Sequence, residues 1–350
     1  MNGDSPPLRF RDPQIEMAHG AGGKASRRLV EGLFAPLLYG AQDPGDGDRL
    51  SDAARVPVGG APVAITTDSF VVTPLVFPGG SIGELAVNGT LNDLAVGGAR
   101  PVALVTTFVL EAGLATGTLE AEVRAMARAA RAAGVAIVGG DTKVVEHGKV
   151  DRLYITTTGI GNPLPGISLG ARTARPGDKI LLSGPIGDHG ITILLARGEL
   201  DLEANLRSDT RSVFPFVEAL AATVAPAIRW MRDPTRGGVA TSLNELALDS
   251  GLGVYLAEES IPVRDEVRGA CELLGLDPLH IANEGQFLAV VSADQADRAL
   301  DALHRVSGGG EGVIIGEVRE EPAGAVLVGT RYGGTRIVDM LVGDPLPRIC

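Results

Sequence analysis

Val102-Ala-Leu-Val-Thr-Thr-Phe-Val-Leu110, an Ala- and Arg-rich segment over 118–133, and Val135-Ala-Ile-Val-Gly-Gly-Asp141 follow one another along the chain. The outer two are apolar runs of strand length, rich in β-branched residues. The middle one has the length and composition of a helix. Strand, helix, strand in that order predicts a layered α/β or α+β domain, a sheet with helices packed on it. The alternation continues in both directions. Upstream, Val63-Ala-Ile-Thr-Thr predicts a strand ending at Asp68, and residues 82–96 predict a helix carrying Asn88, Asn92 and Asp93 among small apolar side chains. Downstream, residues 153–159 read as a further strand, and 135–138 as a short buried one that ends at Gly139-Gly140-Asp141.

Asn162-Pro-Leu-Pro-Gly-Ile167 interrupts this pattern and is the best candidate for a boundary. Beyond it, a strand from Lys179 runs into Gly184-Pro-Ile-Gly-Asp-His-Gly190 and a helix. A second strand ends at Asp233, ahead of Pro234-Thr-Arg-Gly-Gly238 and another helix. Strands are expected near 286–292, 312–318 and 325–328, with a helix over 294–305. Near the start, His19-Gly-Ala-Gly-Gly-Lys24 precedes a helix over 26–38 with an apolar stripe of Leu29, Val30, Leu33, Phe34, Leu37 and Leu38, whereas 40–60 reads as a loop. With 350 residues the chain exceeds the usual size of one core. The expected organisation is a loose arm over 1–14, a first domain over 15–162, a second over 168–342 and a mobile tail over 343–350.

The net charge of −12 argues against a nucleic-acid partner, which would favour a basic face. No basic segment followed by an apolar one opens the chain, and no run approaches the roughly 20 apolar residues of a membrane span. A cytoplasmic protein without a membrane partner is the expectation. The 48 glycines are about twice the usual share and cluster in short loops, where backbone can approach a ligand closely. Of two cysteines, Cys271 sits in a helical apolar pattern and reads as a buried small hydrophobe, and Cys350 is the last residue.

The acids carry the clearest chemical signal. Asp68, Asp141 and Asp233 each fall at a predicted strand end, where α/β proteins keep ligands, and Asp93 lies on an Asn-rich helix face. Four such carboxylates with glycine neighbours suit a Mg2+–nucleotide site, since that ion takes a few carboxylates beside phosphates and water. The turn at Gly20, Gly22, Gly23 and Lys24 fits phosphate contact at a helix N-terminus or simple flexibility. It lacks the spacing of a Walker A loop. Lys143 is placed to meet charge developing on an oxygen, or is a solvated lysine. Glu284, in Asn283-Glu-Gly285, is a base in a cleft or a turn acid, and His189 reads as a helix-start residue. A thiol on eight mobile residues could reach about 26 Å. Its thiolate would be disfavoured by the adjacent carboxylate and partly restored by Arg348.

These segments match a family in order from about residue 15 onward. His19-Gly-Ala-Gly-Gly-Lys24, Thr67-Asp-Ser69, Asn88-Gly-Thr-Leu-Asn-Asp93, Gly140-Asp-Thr-Lys-Val-Val145, Gly187-Asp-His-Gly190, Asp233-Pro-Thr-Arg-Gly-Gly238, Ala282-Asn-Glu-Gly285 and the terminal Pro347-Arg-Ile-Cys350 resemble the HypE family of [NiFe]-hydrogenase maturation factors. The earlier motifs are shared with a wider group that includes aminoimidazole ribonucleotide synthetase, selenophosphate synthetase and thiamine-monophosphate kinase. The terminal Pro-Arg-Ile-Cys separates HypE from them.

The resemblance implies an aminoimidazole ribonucleotide synthetase-like pair of α/β domains whose first sheet dimerises and helps to form the ATP site. It implies carbamoylation of Cys350 by HypF, ATP-dependent dehydration of the carbamoyl group to a thiocyanate, and transfer of the cyano group to iron on a HypC–HypD complex. Asp68, Asp93, Asp141 and Asp233 would hold Mg2+. Gly20, Gly22, Gly23, Lys24, Thr67, Asn88, Asn92, Gly140, Thr142 and Arg236 would contact nucleotide. Lys143 would face the carboxamide oxygen and Glu284 would accept a nitrogen proton. The alternatives are a small-molecule kinase or synthetase of the wider group, and a passive thiol carrier that binds ATP only for assembly.

Overall fold

The computed structural model describes residues 10–38, 51–198, 204–343, 346 and 348–350. Most of the expected arm, much of the expected loop over 40–60, and Asp344, Pro345 and Pro347 of the expected tail lie outside the described residues.

In chain order the first half comprises α1 (Lys24–Leu29), α2 (Ala35–Leu38), β1 (Ala54–Val58), β2 (Ala61–Phe70), the short β3 (Val76–Phe77) and β4 (Gly80–Ser81), α3 (Ile82–Val96), β5 (Ala99–Glu111), α4 (Thr116–Ala132), β6 (Ala136–Val145) and β7 (Leu153–Pro163). A five-stranded sheet runs β1-β2-β7-β5-β6, with β5 and β6 parallel and the other pairs antiparallel. The second half comprises β8 (Lys179–Leu182), α5 (Asp188–Ala196), α6 (Phe214–Val224), β9 (Ile228–Arg232), α7 (Gly238–Ser250), β10 (Gly253–Ala257), α8 (Asp265–Leu274), β11 (Leu288–Val291), α9 (Ala296–His304), β12 (Val313–Arg319), β13 (Val326–Gly329) and β14 (Thr335–Val338). These strands form a seven-stranded sheet in the order β14-β13-β10-β12-β8-β11-β9.

Side-chain alternation decides how each sheet is covered. In β8, Ile180 and Leu182 share a core cluster with Val239 and Leu243 of α7, and Leu181 shares another with Val217 of α6 and Ala299 of α9. Both faces of the second sheet are therefore packed. The first sheet is covered on one face only, by α3 and α4. Its open face presents Val56, Val58, Ile65, Val105 and Ile160, each 37–59% exposed.

Helix α3 is buried almost all round because it lies between the first sheet and the second half of the chain. Its Leu85, Leu91 and Leu94 are fully enclosed, each stabilising by about 1.5–3 kcal/mol. One core cluster is continuous across the junction, joining Phe70, Leu85 and Ile155 of the first half to Ile191, Val267 and Ile281 of the second.

Several local expectations change. Residues 54–58 are a strand, where a loop was expected. The strand expected to end at Asp141 runs on to Val145 as an exposed edge, which periodicity over four residues could not reveal. The helix stripe at Phe34, Leu37 and Leu38 is exposed, and a π-helical stretch over Val30–Phe34 separates α1 from α2. Helix α6 and strands β10 and β14 were not anticipated. The mostly apolar Phe-Pro-Phe-Val-Glu-Ala-Leu of α6 has no clear amphipathic period.

Candidate active site

Three carboxylates converge. Oxygens of Asp52, Asp93 and Asp233 lie within 4.8 Å of one another. Asp233 is buried immediately past the end of β9, Asp93 is in the last turn of α3, and Asp52 precedes β1. Thr66, on the helix-facing side of β2, donates to Asp93 Oδ2 at 2.8 Å. Partly buried Arg232 pairs with Asp52 and, at 3.2 Å, with Glu245, which anchors one corner of the cluster. Burial first, then repulsion from Asp233 and Asp52, pushes Asp93 well above the usual carboxylate range. Asp233 is raised in the same direction, by burial and then by Asp52. Asp68 shares the helix-facing side with Thr66 and repels both. Packed oxygens that repel one another are what a hard divalent cation neutralises, so the donor set fits Mg2+.

Glu284 stands beside this cluster, 3% exposed, with Oε1 lacking any hydrogen-bond partner among the described residues. Burial, followed by Asp233, Asp68 and Asp209, raises its proton affinity strongly, and Arg236 opposes the shift. Its backbone is fixed from two sides. Asp209 Oδ1 accepts from the Glu284 N–H at 3.0 Å, and Asn92 Nδ2 donates to the Glu284 carbonyl at 3.0 Å. Gly285 follows because a Cβ there would sit 1.8 Å from the Asp209 carbonyl oxygen. Gly285→Ala is expected to lower stability by about 1–3 kcal/mol and to displace Glu284. Denaturant melts combined with a turnover assay check this, and an unchanged midpoint would refute it.

Some expected nucleotide ligands have structural work instead. Asn92 donates to the carbonyls of Arg211 and Glu284 and accepts from Val213 N–H, so it clamps α3 to the second half of the chain. Asn88 is buried and reaches Thr210 Oγ1 at 3.4 Å. At the glycine turn, the N–H groups of Lys24 and Ala25 already bond the carbonyls of Leu341 and Val342, and Gly22 N–H bonds Ser26 Oγ. Gly23 admits this approach, since a Cβ would fall 2.1 Å from the Leu341 oxygen. Lys24 pairs with Asp339. The donors expected to face phosphate are therefore engaged here, and the turn acts through the Gly20 carbonyl, which holds Arg236 Nη1 at 2.8 Å.

The first sheet divides the remaining candidates. Alternation puts Thr67, Asp141 and Lys143 on its open face, away from Asp68, Asp93 and Glu284. Thr67 Oγ1 meets Thr158 Oγ1 at 2.9 Å, and Lys143 Nζ meets Asp141 Oδ2 at 2.6 Å, both ends exposed. The Lys143 cation lowers the proton affinity of Asp141, the reverse of the clustered acids. Within one chain Asp141 does not join the cation cluster. Gly140 and Thr142 lie beside it on the edge strand β6.

The described tail residues are docked. Cys350 O accepts from Val71 N–H at 3.0 Å and Arg348 O from Thr73 N–H at 3.4 Å, an antiparallel pairing beside the end of β2. Leu346 and Ile349 are buried, and Cys350 packs against the core cluster that spans both halves. Arg348 reaches Asp151 at 2.9 Å and the Val71 carbonyl at 3.3 Å, so it buttresses the dock where a role beside the thiolate was expected. Val71, the partner of Cys350, lies three residues past Asp68, on the order of 10 Å along the chain.

Sequence reasoning missed Asp52, Arg232 and Asp209. Asp52 lies in a stretch without periodicity, and neither Arg232 nor Asp209 stands out in sequence from a solvated charge.

Residues 50–162 match the AIR synthase related protein N-terminal domain, and residues 175–329 match the corresponding C-terminal domain. The carbamoyl dehydratase HypE of Azotobacter vinelandii is 50% identical over 343 residues, 98% of this chain and 99% of its own. The chain belongs to the HypE family. Among solved structures, HypE in a HypE–HypF complex is 44% identical with a TM-score of 0.83, covering 89% of this chain and 99% of that one. HypE in complex with ATP is 45% identical with a TM-score of 0.79, covering 96% and 100%. The two-domain fold follows from this membership, as does the separation from the wider group that the terminal Pro-Arg-Ile-Cys implied. Among the described residues no helix is long and apolar enough to cross a membrane.

Proposed function

We propose that this HypE-family chain is an ATP-dependent carbamoyl dehydratase in [NiFe]-hydrogenase maturation, acting on a carbamoyl group carried by its own Cys350. The observation that carries the reading is the pairing of Cys350 with Val71, three residues along the chain from Asp68, whose charge acts on Asp93 and Asp233. A thiol so placed has its carrier and its activating site in one molecule.

The chemistry needs a poor leaving group made good. The carboxamide oxygen takes the γ-phosphoryl group of ATP, ADP leaves, and one nitrogen proton is lost. The second N–H proton then leaves as the C–O bond breaks and phosphate departs, giving the thiocyanate. Mg2+ held by Asp52, Asp93 and Asp233 would neutralise the polyphosphate and offset the carboxylate repulsion that adds to burial in raising the proton affinity of Glu284. Glu284, whose raised proton affinity suits a base, is the acceptor for a nitrogen proton. Arg236, held by Gly20, faces Asp68 and Glu284 and orients charge on the phosphate side.

Lys143 and Asp141 reach a nucleotide site through a second copy of the chain. The exposed Val and Ile stripe on the open sheet face supports a homodimer, since contiguous apolar surface of this kind marks an interface. In that dimer Lys143 of one protomer would serve the site of the other. HypF as carbamoyl donor, a HypC–HypD complex as acceptor and a cytoplasmic location complete the proposal.

Mass spectrometry of the carbamoylated chain with and without Mg-ATP tests it. The expected result is loss of the mass of one water at Cys350 only when Mg-ATP is present. A carbamoyl group that persists unchanged would make the chain a passive carrier. Glu284→Gln is expected to slow conversion by about 10²–10⁴-fold with ATP affinity retained. Wild-type conversion by this variant would remove Glu284 from the mechanism.

A further inference from the structure

His189 has no part in the chemistry above, yet it is fully enclosed at the first turn of α5 with both ring nitrogens bonded. Its Nε2 lies 2.6 Å from the carbonyl of Ile349, which can only accept, so Nε2 carries the proton. In the neutral ring Nδ1 must then accept, and Ser208 Oγ lies 2.7 Å from it. The Ser208 oxygen takes the N–H of Thr210 at 3.1 Å, which leaves its own proton free to point at the imidazole. Thr210, Ser208, His189 and Ile349 thus form a directed relay that ends on the residue before Cys350. Phe77 braces the ring edge-on at 5.7 Å, and burial pushes the imidazole down to about 4, so it is neutral at physiological pH.

The seat that this relay holds is not one the tail would adopt unaided. Arg348 is at φ 57°, a left-handed conformation that a side chain with a Cβ disfavours. Arg197, just past the end of the same helix, grips the Arg348 carbonyl at 2.9 Å, and the pairing to residues 71–73 adds two backbone bonds. The bond from His189 to the Ile349 carbonyl is one of the polar anchors of this strained segment, so its loss weakens the seat.

We propose that His189, set in its Nε2–H form by Ser208, is the latch that seats the last two residues against 71–73 and governs how often Cys350 is presented at the acidic cluster. This rests on the reading that Cys350 carries the reacting group. His189 is a positioning residue, since it reaches the thiol only through the Ile349 backbone.

The rate at which a thiol reagent labels Cys350 in the full chain reads the latch without any turnover, with buried Cys271 as internal reference. His189→Phe keeps the apolar volume and removes both bonds, and should raise the Cys350 labelling rate about fivefold, the loss of one net hydrogen bond. His189→Gln, which restores an N–H donor, should recover part of that difference. Ser208→Ala, at a half-buried site, should give a smaller rise in the same direction, and it decides the matter if His189→Phe does not fold. In single turnovers of carbamoylated chain, the dehydration rate should fall by a similar factor while the apparent KM for ATP is unchanged. Wild-type labelling rates in the folded variants would overturn the latch. Absence of dehydration in the wild type would overturn the functional reading instead, and the labelling result would still stand for or against the latch.

Discussion

Cys350→Ser is expected to abolish thiocyanate formation and to leave ATP binding intact. The residue lies at the end of a docked segment whose seat is made by backbone bonds and by Leu346, Ile349 and Arg348, none of which the substitution touches. The fold and the acidic cluster are therefore retained, and what disappears is the sulfur that bears the carbamoyl group. Nucleotide titration should give the wild-type affinity, and mass spectrometry with HypF and Mg-ATP should find no cyano adduct at the terminus. An adduct elsewhere, or hydrogenase maturation at the wild-type level, would show that another group carries the carbon.

Asp93→Asn moves activity and stability in opposite directions. Asp93 is pressed by burial, Asp233, Asp52 and Asp68, so its carboxyl binds a proton more tightly folded than unfolded. A folded affinity raised above the unfolded value makes stability greatest below the unfolded pKa of 3.8, with loss as pH rises through the folded value. The asparagine keeps the contact with Thr66, whose hydroxyl can donate to the amide oxygen, and removes the charge. The metal-free variant is expected to be more stable at neutral pH by about 1–2 kcal/mol, and its stability should decline less with rising pH. Turnover should fall on the order of 10²–10³-fold, since one oxygen charge facing the nucleotide site has gone. Denaturant midpoints across the acid-to-neutral range, set beside single-turnover rates, check both halves. A destabilised variant with normal turnover would mean that the three aspartates do not form a cation site.

How far the sequence reached depends on the kind of signal. Helix α3 was legible because residues 82–96 are mostly apolar and small, and Asp93, Asp233 and Glu284 were found because they border apolar elements. Asp52 was not, because what makes it a ligand candidate is Arg232 and the approach of two other carboxylates from distant segments. The glycine turn was read for its donors, but those donors meet Leu341 and Val342, a contact over three hundred residues that no local pattern carries. Lys143 and Glu284 were expected around one carboxamide. The two-residue alternation of β6 puts Lys143 on the opposite face of the sheet, and that geometry needs the register of β5 with β6 to be seen. Recognition of the family supplied the roles, whereas the physical arrangement of those roles came only from the fold.

Asn92 has a consequence for traffic into the pocket. Its single carboxamide staples helix α3 to three backbone positions of the other half, deep beneath a shared apolar seam. A clamshell that gaped to admit reactant would have to tear that staple and wet the seam with it. Exchange at this centre is therefore expected to proceed with the two lobes shut.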